Sequence, residues 1–259
     1  MSVVYTLSDD RVARVEINRP TRMNAIDPAT EAELERIWSE IESDKTVRCV
    51  VLTGAGDRAF SAGADMKAAD TASGLEYWAG RNPNGFGGIA LRQSMKVPVI
   101  ARVNGVALGG GMEMVLGADI VVASETAKLG LTEARVGRLP LDGGMVKLPR
   151  LIPEKIAAGM MMTGRMIPAA EAARYGLVNA VVPFDELDEE VANWTRDIIA
   201  CAPLSVAAIK VTMGKTRHLL PAEARTFHTP ELIVALQSED QDEGVAAFLE
   251  KRKPVWKGK

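Results

Sequence analysis

The stretch NGVALGGGME, residues 104–113, carries a predicted strand into a predicted helix. It follows the apolar run Val99–Val103 and contains three consecutive glycines, Gly109–Gly111. The first N–H groups of a helix have no partner inside the helix, and the helix dipole adds partial positive charge there. Glycines leave those N–H groups uncovered, so the stretch predicts a site for a developing negative charge on oxygen. The alternative is a tight turn in which glycine only allows close packing of strand and helix.

A second glycine-containing turn, FSAGADM at residues 60–66, also follows a predicted strand. Other kinds of site are excluded by pattern. The 104–113 turn is followed by no Lys-Ser or Lys-Thr pair and lacks the G-x-G-x-x-G register, so it is not a nucleotide loop. The chain has no G-x-S-x-G elbow and no His, Cys and carboxylate spacing typical of a metal site. Its two histidines, His218 and His228, are expected to be structural or solvent-facing.

Two glutamates are candidate acid–base groups. Glu113 lies three residues beyond Gly110, in the first predicted turn of the helix, and Glu133 follows a short strand-like segment. Each also has a simple structural interpretation, since Glu113 complements the helix dipole and Glu133 can pair with a nearby arginine. Together they suit the addition of water, which needs a base for the oxygen nucleophile and an acid for the carbon.

Strand and helix patterns alternate over the first ~180 residues and predict an α/β fold. Asp27-Pro28 marks a helix start, with apolar residues at helical spacing behind it. No strand pattern follows residue 182, so we expect a core over residues 1–200 and a helical section over 201–259. Strands are predicted at 13–17, 49–53, 99–103 and 120–123, and C-terminal helices at 203–216, 221–237 and 240–251; the stretch 69–95 is predicted to be a loop.

Composition narrows the function classes. The 259 residues carry a net charge of −3, with 47% apolar and 25% charged side chains, which gives no support for nucleic-acid binding. The apolar run 112–123 is interrupted by charged residues and glycine, so no membrane span is expected. The N-terminus shows no secretory pattern, and two cysteines outside any paired motif favour a reduced, cytoplasmic location.

The sequence resembles the crotonase family, also called the enoyl-CoA hydratase/isomerase family. The resemblance lies in five stretches that follow the family's order and spacing: 18–25, 60–66, 104–113, 129–144 and 176–178. Within the family, residues 162–165 and 250–258 are similar to the carnitinyl-CoA dehydratase subfamily. The resemblance implies a crotonase-like fold of repeated ββα units, a lyase activity on acyl-CoA thioesters, and a trimer or a paired trimer whose subunits meet through the C-terminal helices.

The resemblance also assigns roles to residues. It implies that the N–H groups of Ala64 and Gly110 form an oxyanion hole for the thioester carbonyl. Glu113 would act on the water and Glu133 on the α-carbon proton. Coenzyme A enters as part of the substrate, and no other cofactor or metal is implied. Its expected contacts are Arg22, Met23, Ala25, Ala62, Asp65, Met66 and Lys67, although the charges of Arg22 and Lys67 can equally be solvated.

Hydration or dehydration of an enoyl-CoA, with a carnitinyl or crotonobetainyl acyl group as one option, is the function that two glutamates favour. Double-bond isomerisation is the alternative, because it needs one carboxylate, and a non-catalytic scaffold or RNA-binding role is a third. Leu141 occupies a position where glycine is common in the family's hydratases. Nearby Arg138 and Asp142 are expected either to form an ion pair at the rim or to select a polar or charged acyl group.

Overall fold

The computed structural model describes residues 1–68, 74–80 and 82–259. Strands and helices alternate in this part of the chain. The strands are β1 (Val3–Leu7), β2 (Val12–Ile17), β3 (Cys49–Gly54), β4 (Ala59–Ser61), β5 (Val99–Val103), β6 (Val106–Leu108), β7 (Ile120–Ser124), β8 (Lys128–Gly130), β9 (Ile167–Pro168) and β10 (Ala180–Val182). The helices are α1 (Pro28–Ser43), α2 (Gly74–Gly80), α3 (Gly110–Gly117), α4 (Gly144–Leu151), α5 (Glu154–Thr163), α6 (Ala169–Arg174), α7 (Leu187–Ala200), α8 (Pro203–Thr216), α9 (Pro221–Thr226), α10 (Pro230–Leu236) and α11 (Glu239–Leu249).

The strands form two sheets, and successive strands along the chain alternate between them in the middle of the chain. The larger sheet has the order β1-β2-β3-β5-β7-β10 and is parallel except for the β1–β2 pair, and the smaller sheet has the order β4-β6-β8-β9. In three successive strand pairs, β3 with β4, β5 with β6 and β7 with β8, the first strand joins the larger sheet and the second joins the smaller one. The expected repeated ββα units and α/β class are therefore confirmed.

Burial explains why the larger sheet could be predicted. Every residue of β3 and β5 is buried, as expected for central parallel strands covered on both faces. In β2 burial alternates, with Ala13, Val15 and Ile17 inside. Helix α1 begins as predicted, because the Asp27 side chain accepts a hydrogen bond of 2.8 Å from the Thr30 N–H.

The structure also differs from the predictions. The stretch 69–95, predicted as a loop, contains helix α2 and a 3-10 helix, Phe86–Gly88, while residues 69–73 and 81 lie outside the described residues. The single helix predicted over 221–237 is two helices, α9 and α10. Thr229 and Pro230 explain the break, because the Thr229 hydroxyl accepts from the Leu232 N–H and proline suits the first helical position. The last strand ends at Val182, as predicted.

Helix α7 covers one face of the larger sheet, where Leu187 and Val191 join a cluster with Cys49, Val51 and other sheet residues. The other face of the sheet belongs to the main core. Among the described residues no single helix has the length and hydropathy of a membrane span; the segments 184–200 and 203–216 meet those criteria only together, across a bend of 105°.

Candidate active site

The two glycine turns singled out in the sequence lie against each other. Gly63 has φ +84°, and a methyl group added there would lie 2.8 Å from the Leu108 carbonyl oxygen and 3.0 Å from the Gly110 amide nitrogen. A methyl group added at Gly111 would lie 2.2 Å from the Ser61 carbonyl oxygen. Such contacts leave no room for a side chain, so glycine at these positions lets the two backbones touch.

The contact brings two N–H groups into one region. Ala64 forms an isolated bridge with Ile26, in which the Ile26 N–H donates to Gly63 and the Asp65 N–H donates to Ile26, both at 2.8 Å. Neither the Ala64 N–H nor the Gly110 N–H donates a hydrogen bond within the described part of the chain. The Gly110 N–H also lies at the start of α3, where the helix dipole is positive. Two donors are thus available for an acceptor from outside the protein.

Glu113 extends from the first turn of α3 into the interior and is only 3% exposed. Its Oε1 accepts hydrogen bonds from the N–H groups of Asp142, at 2.8 Å, and Gly144, at 2.9 Å. Burial is the largest influence on its pKa, and the negative charges of Asp142 and Glu133 add to it, so the pKa is raised to about 8 despite the two N–H donors. Glu113 therefore keeps a proton at neutral pH.

Glu133 begins a short 3-10 helix, Glu133–Val136, and turns its carboxylate toward Gly109. A methyl group added at Gly109 would lie 3.5 Å from Glu133 Oε1. Its Oε2 is buried and has no hydrogen-bond partner among the described residues, and burial raises the pKa of this carboxyl as well. The alternative prediction, a surface glutamate paired with arginine, is not what the structure shows, since the nearby Arg135 donates to the Thr163 carbonyl.

The two glutamates act as one titrating pair. The charge of Glu133 raises the pKa of Glu113, which means that losing the proton from one opposes losing it from the other. Both carboxyl groups lie at the Gly109–Gly111 turn, beside the Gly110 N–H, and both pKa values are raised, that of Glu113 to about 8.

Asp142 does not form the expected ion pair with Arg138. No such pair occurs among the ion pairs of the described residues, and Arg138 is exposed. Asp142 is instead 3% exposed, and its Oδ2 accepts a hydrogen bond of 2.5 Å from the hydroxyl of Tyr77 on α2. The backbone turn around Asp142 provides the two N–H groups for Glu113, which places its carboxylate next to the glutamate pair.

Tyr77 and Glu31 belong to this region and were not identified from the sequence. Burial, followed by the hydrogen bond to Asp142 and the charges of Asp142, Glu31 and Glu113, raises the pKa of the Tyr77 hydroxyl. Glu31 lies in the first turn of α1, where a carboxylate is expected to complement the helix dipole, and Tyr77 lies in a stretch without any periodic pattern. Only the fold brings them together, so the sequence carried no signal for either.

The residues predicted to contact coenzyme A lie along one edge of the two turns. Met23, with φ 53°, ends the 3-10 helix Pro20–Arg22, and its carbonyl accepts from the Ala62 N–H at 3.0 Å. Ala25 is buried and Ala62 is half-buried, while Arg22, Met66 and Lys67 are exposed. The structure therefore places these residues beside the Ala64 corner.

Asp65 differs from its predicted neighbours because its carboxylate is used inside the protein. Its Oδ2 lies 3.1 Å from Arg19 Nη2, which also lies 2.7 Å from Asp27, and its Oδ1 accepts from the Lys67 N–H at 3.2 Å. Burial alone would raise the pKa of Asp65, but the Lys67 N–H and the Arg19 guanidinium hold it below its ordinary value. Arg19 was recognised only as part of a matching motif, and its role as the organiser of this corner emerges from the structure.

Comparison with known proteins identifies the family. The model of the family described as enoyl-CoA hydratase/isomerase matches residues 8–259. The chain belongs to this family. A carnitinyl-CoA dehydratase of Escherichia coli strain K12 is 39% identical over 255 residues, which cover 96% of this chain and 95% of that protein. A carnitinyl-CoA dehydratase of Citrobacter koseri is 38% identical with the same coverage.

Solved structures agree with this assignment. The crystal structure of an enoyl-CoA hydratase from Bacillus anthracis superposes with a TM-score of 0.89 and 33% identity, covering 100% of both chains. An enoyl-CoA hydratase from Mycobacterium smegmatis gives a TM-score of 0.90 at 30% identity, covering 99% of both. The family and the enzyme class inferred from the sequence, a lyase of the enoyl-CoA hydratase type, are thus confirmed.

Proposed function

We propose that the enzyme adds water to, or removes it from, the α,β double bond of an enoyl-CoA thioester, with Ala64 and Gly110 holding the thioester carbonyl oxygen. The observation that carries this proposal is the buried Glu113 and the half-buried Glu133 beside the Ala64 and Gly110 N–H groups, which donate no hydrogen bond within the described part of the chain. The α-carbon of a thioester gains or loses a proton through an enolate-like state, in which negative charge grows on the carbonyl oxygen. Removing one N–H donor from such a site typically costs about 3–4 kcal/mol of barrier stabilisation.

The proton positions give the two glutamates distinct roles. In dehydration, ionised Glu133 takes the α-proton, and protonated Glu113 transfers its proton to the β-hydroxyl as the C–O bond breaks and water leaves. Hydration is the reverse, with Glu113 accepting a proton from water and Glu133 delivering one to the α-carbon. The raised pKa of Glu113 supports this division, because Glu113 then holds the proton that the leaving hydroxyl needs in dehydration. The chemistry uses these side chains and backbone groups, with coenzyme A as part of the substrate.

The acyl group and the coenzyme A contacts are proposed from different observations. The relatives named carnitinyl-CoA dehydratase, at 39% identity over nearly the whole chain, support a carnitinyl or crotonobetainyl acyl group. A position beside Ala64 supports a coenzyme A contact by Arg22, Met23, Ala25, Ala62, Met66 and Lys67, of which Arg22, Met66 and Lys67 are exposed. Asp65 would contribute to that contact through its backbone, because its carboxylate is held by Arg19.

Double-bond isomerisation is the second candidate. The observation that favours it is Glu133 itself, whose buried Oε2 has no hydrogen-bond partner among the described residues and could shuttle a proton between two carbons. Such a reaction would need Glu133 and leave Glu113 without a chemical role. The buried, hydrogen-bonded position of Glu113 favours hydration instead.

Assembly and location are further parts of the proposal. Apolar side chains are exposed along the helices of residues 201–259, including Ile209 at 60% and Phe248 at 82%. Exposed apolar surface of this kind is typical of subunit interfaces, which supports the section as the contact surface of a homotrimer or a hexamer of two trimers. Cys49 and Cys201 are both free thiols, which supports a cytoplasmic location.

The test is loss of the enoyl-thioester absorbance when the purified protein is mixed with crotonyl-CoA. Glu113→Gln and Glu133→Gln should each lower the hydration rate by about 10²–10⁴-fold, because each removes one proton-transfer group. Glu154→Gln, which changes an exposed glutamate on α5, is the matched control and should retain the full rate. A Glu113→Gln enzyme that loses isomerisation but keeps hydration would show that the roles are wrong, and a wild-type protein inert toward an acyl-CoA panel would favour a scaffold.

A further inference from the structure

A half-buried lysine on α4, outside the two glycine turns, contacts the elements that carry the proposed catalytic groups. We propose that Lys147 is a positioning residue, which holds helix α3 so that the Gly110 N–H and the Glu113 carboxyl keep their places relative to each other. This inference rests on the proposed function, because it assumes that both groups act on an acyl thioester. It goes further by giving a role in the reaction to a side chain that need not touch the substrate.

The segment 86–90 runs along α3 and packs against both of its ends. A methyl group added at Gly110, the first residue of α3, would lie 2.5 Å from the Phe86 ring. A methyl group added at Gly117, the last residue of α3, would lie 2.9 Å from the Ala90 Cα. Within the segment, the Ala90 N–H donates to the Phe86 carbonyl at 3.3 Å. The position of α3 along this segment therefore sets the position of the Gly110 N–H.

Lys147 bridges the two sides of this contact at the C-terminal end of α3. Its Nζ donates to the Ala90 carbonyl at 2.5 Å and to the Leu116 carbonyl at 3.3 Å. The last carbonyl groups of a helix have no partner inside the helix, and the helix dipole is negative there, so an ammonium group stabilises this end of α3. Lys147 therefore fastens α3 to the segment 86–90 at the end opposite to Gly110.

The same lysine belongs to the helix that holds the Glu113 carboxyl. The Gly144 N–H, at the start of α4, donates to Glu113 Oε1 at 2.9 Å. The Lys147 N–H donates to the Gly143 carbonyl at 2.6 Å, one turn further along. A methyl group added at Gly143 would lie 3.3 Å from the Leu91 side chain, so the start of α4 also packs beside the segment that Lys147 binds. Lys147 thus connects α4, which holds the Glu113 carboxyl, to α3, which carries Glu113.

The contacts of Lys147 differ from those of another half-buried lysine, Lys210 on α8. Lys210 Nζ lies 2.6 Å from the Asp119 carboxylate and donates to the Val97 carbonyl at 2.8 Å. Lys147 forms no ion pair among those of the described residues, and its two acceptors are uncharged carbonyl groups. Burial, and then the positive charge of Arg217, lower the pKa of Lys147 to about 8. Directed contacts with two backbone segments, in place of a carboxylate partner, suit a role in positioning.

The two proposed catalytic groups on α3 depend on preset geometry. An N–H donor stabilises an oxyanion only from the place where the charge develops, and a displacement of about 1 Å can cost about 10²-fold in rate. The predicted coenzyme A contacts lie on other segments, at residues 22–25 and 62–67. A shift of α3 should therefore reduce kcat and leave KM little changed.

The test measures hydration of crotonyl-CoA by Lys147→Met, which keeps a side chain of similar length and removes the N–H donors. We expect kcat to fall about 10–10²-fold with little change in KM, as for an interaction that matters in the transition state. Lys147→Arg, which retains N–H donors, should recover most of the rate. If Lys147→Met does not fold, Lys147→Gln replaces it, and the same split between kcat and KM is expected.

Lys210→Met is the matched control, because it also removes a half-buried ammonium group that donates to a backbone carbonyl. It should lower the melting temperature at least as much as Lys147→Met, since it also breaks an ion pair, and it should retain kcat. Equal kcat values in Lys147→Met and Lys210→Met would overturn the positioning role. A folded Lys147→Arg enzyme that is no faster than Lys147→Met would overturn it as well.

An infrared measurement separates this inference from the function on which it rests. The carbonyl stretch of butanoyl-CoA, isotope-labelled at the thioester carbonyl, should be lower in the wild-type complex than in solution, because two N–H groups polarise the bond. Lys147→Met should lose part of that shift. If the wild-type protein lowers the stretch but hydrates no enoyl-CoA, the proposed reaction is contradicted, while a smaller shift in Lys147→Met still supports the positioning role. If the wild-type protein hydrates crotonyl-CoA, and Lys147→Met has the same stretch and the same kcat, the reaction is supported and the positioning role is refuted.

Discussion

The two glycine turns, residues 60–66 and 104–113, each contain an acidic residue, and the pKa values of these two residues are shifted in opposite directions. Asp65 follows Ala64, is paired with Arg19, and has its pKa lowered. Glu113 lies three residues beyond Gly110, accepts only from backbone N–H groups, and has its pKa raised to about 8. Both side chains are at least nine-tenths buried. Burial alone therefore does not decide the charge of an acid; the partner does.

The difference separates an acid with a structural role from an acid that can transfer a proton. The guanidinium beside Asp65 keeps that carboxylate ionised, so it fixes the corner but cannot exchange protons near neutral pH. Glu113 has acidic neighbours in place of a cation, and its proton is therefore available for transfer. A site built from one turn with an ion-paired acid and one turn with a protonated acid can hold a carbonyl oxygen rigidly and still move protons next to it.

The largest fall in catalytic rate is expected when the contact between the two glycine turns, at Gly63 and Gly110, is disrupted. Gly63→Ala would place a methyl group 3.0 Å from the Gly110 nitrogen, at a backbone φ of +84°, so the Gly110 N–H must move. We expect kcat/KM for crotonyl-CoA to fall by about 10²-fold or more, the typical effect of losing one oxyanion donor. Gly137→Ala is the control, because Gly137 has a similar φ of +69° but open space around it.

That control separates backbone strain from the loss of geometry. Both variants should show a lower melting temperature, since alanine is strained at positive φ, by roughly 1 kcal/mol. Only Gly63→Ala should lose the catalytic rate. Equal kcat/KM values in Gly63→Ala and Gly137→Ala would mean that the contact between the two glycine turns does not position the Gly110 N–H.

A smaller effect is expected from pH. Above pH about 8 the proton on Glu113 is lost, the pair has no acid, and kcat/KM should fall about tenfold per unit in both reaction directions. Asp142→Asn removes a charge that raises the pKa of Glu113, so the decline should begin at lower pH. Stopped-assay rates from pH 6 to 10 would check both, and an unchanged midpoint in Asp142→Asn would show that Asp142 does not act on Glu113.

The smallest expected effect is the pH dependence of the free energy of unfolding, to which Asp65 and Glu113 contribute with opposite signs. Because the folded-state pKa of Asp65 is lowered, its contribution is present above its ordinary pKa of 3.8 and is lost as pH falls. Because the folded-state pKa of Glu113 is raised, folding loses free energy as pH rises from 4.5 toward about 8.

Denaturant unfolding at pH 7 would check this contrast. Asp65→Asn should lower the free energy of unfolding by about 1–3 kcal/mol, since Arg19 loses a buried partner. Glu113→Gln should leave it unchanged or raise it, with the gain growing between pH 5 and pH 8. A Glu113→Gln protein that is destabilised as much as Asp65→Asn would show that Glu113 is another structural acid.

The sequence predicts the parts of this fold that carry a strong local pattern. Buried runs such as Cys49–Thr53 and the Asp27-Pro28 helix start were found because their signals lie within a few neighbouring residues. Most of the smaller sheet was missed, because its strands span two or three residues and show no period; only the segment before Glu133, which is β8, was read as strand-like. The break between α9 and α10 was also missed, although Thr229-Pro230 repeats the capping residue and proline that mark the start of α1 at Asp27-Pro28.

The same distinction applies to the site. Glu113, Glu133 and the glycine turns could be predicted because each lies within a recognisable local motif. Glu31 and Tyr77 could not, because only tertiary packing brings α1 and α2 near Asp142, where the Tyr77 hydroxyl donates to the Asp142 carboxylate. The paired state of Asp65 was equally hidden, since its partner Arg19 is 46 residues away along the chain.

The most direct test is a crystal structure of the enzyme with butanoyl-CoA, a saturated thioester that cannot be hydrated. The thioester carbonyl oxygen should lie within hydrogen-bond distance of both the Ala64 and the Gly110 nitrogen atoms, with the carboxylates of Glu113 and Glu133 on the side of the α- and β-carbons. A carbonyl oxygen bound elsewhere, or an acyl chain directed away from both glutamates, would contradict the proposed reaction.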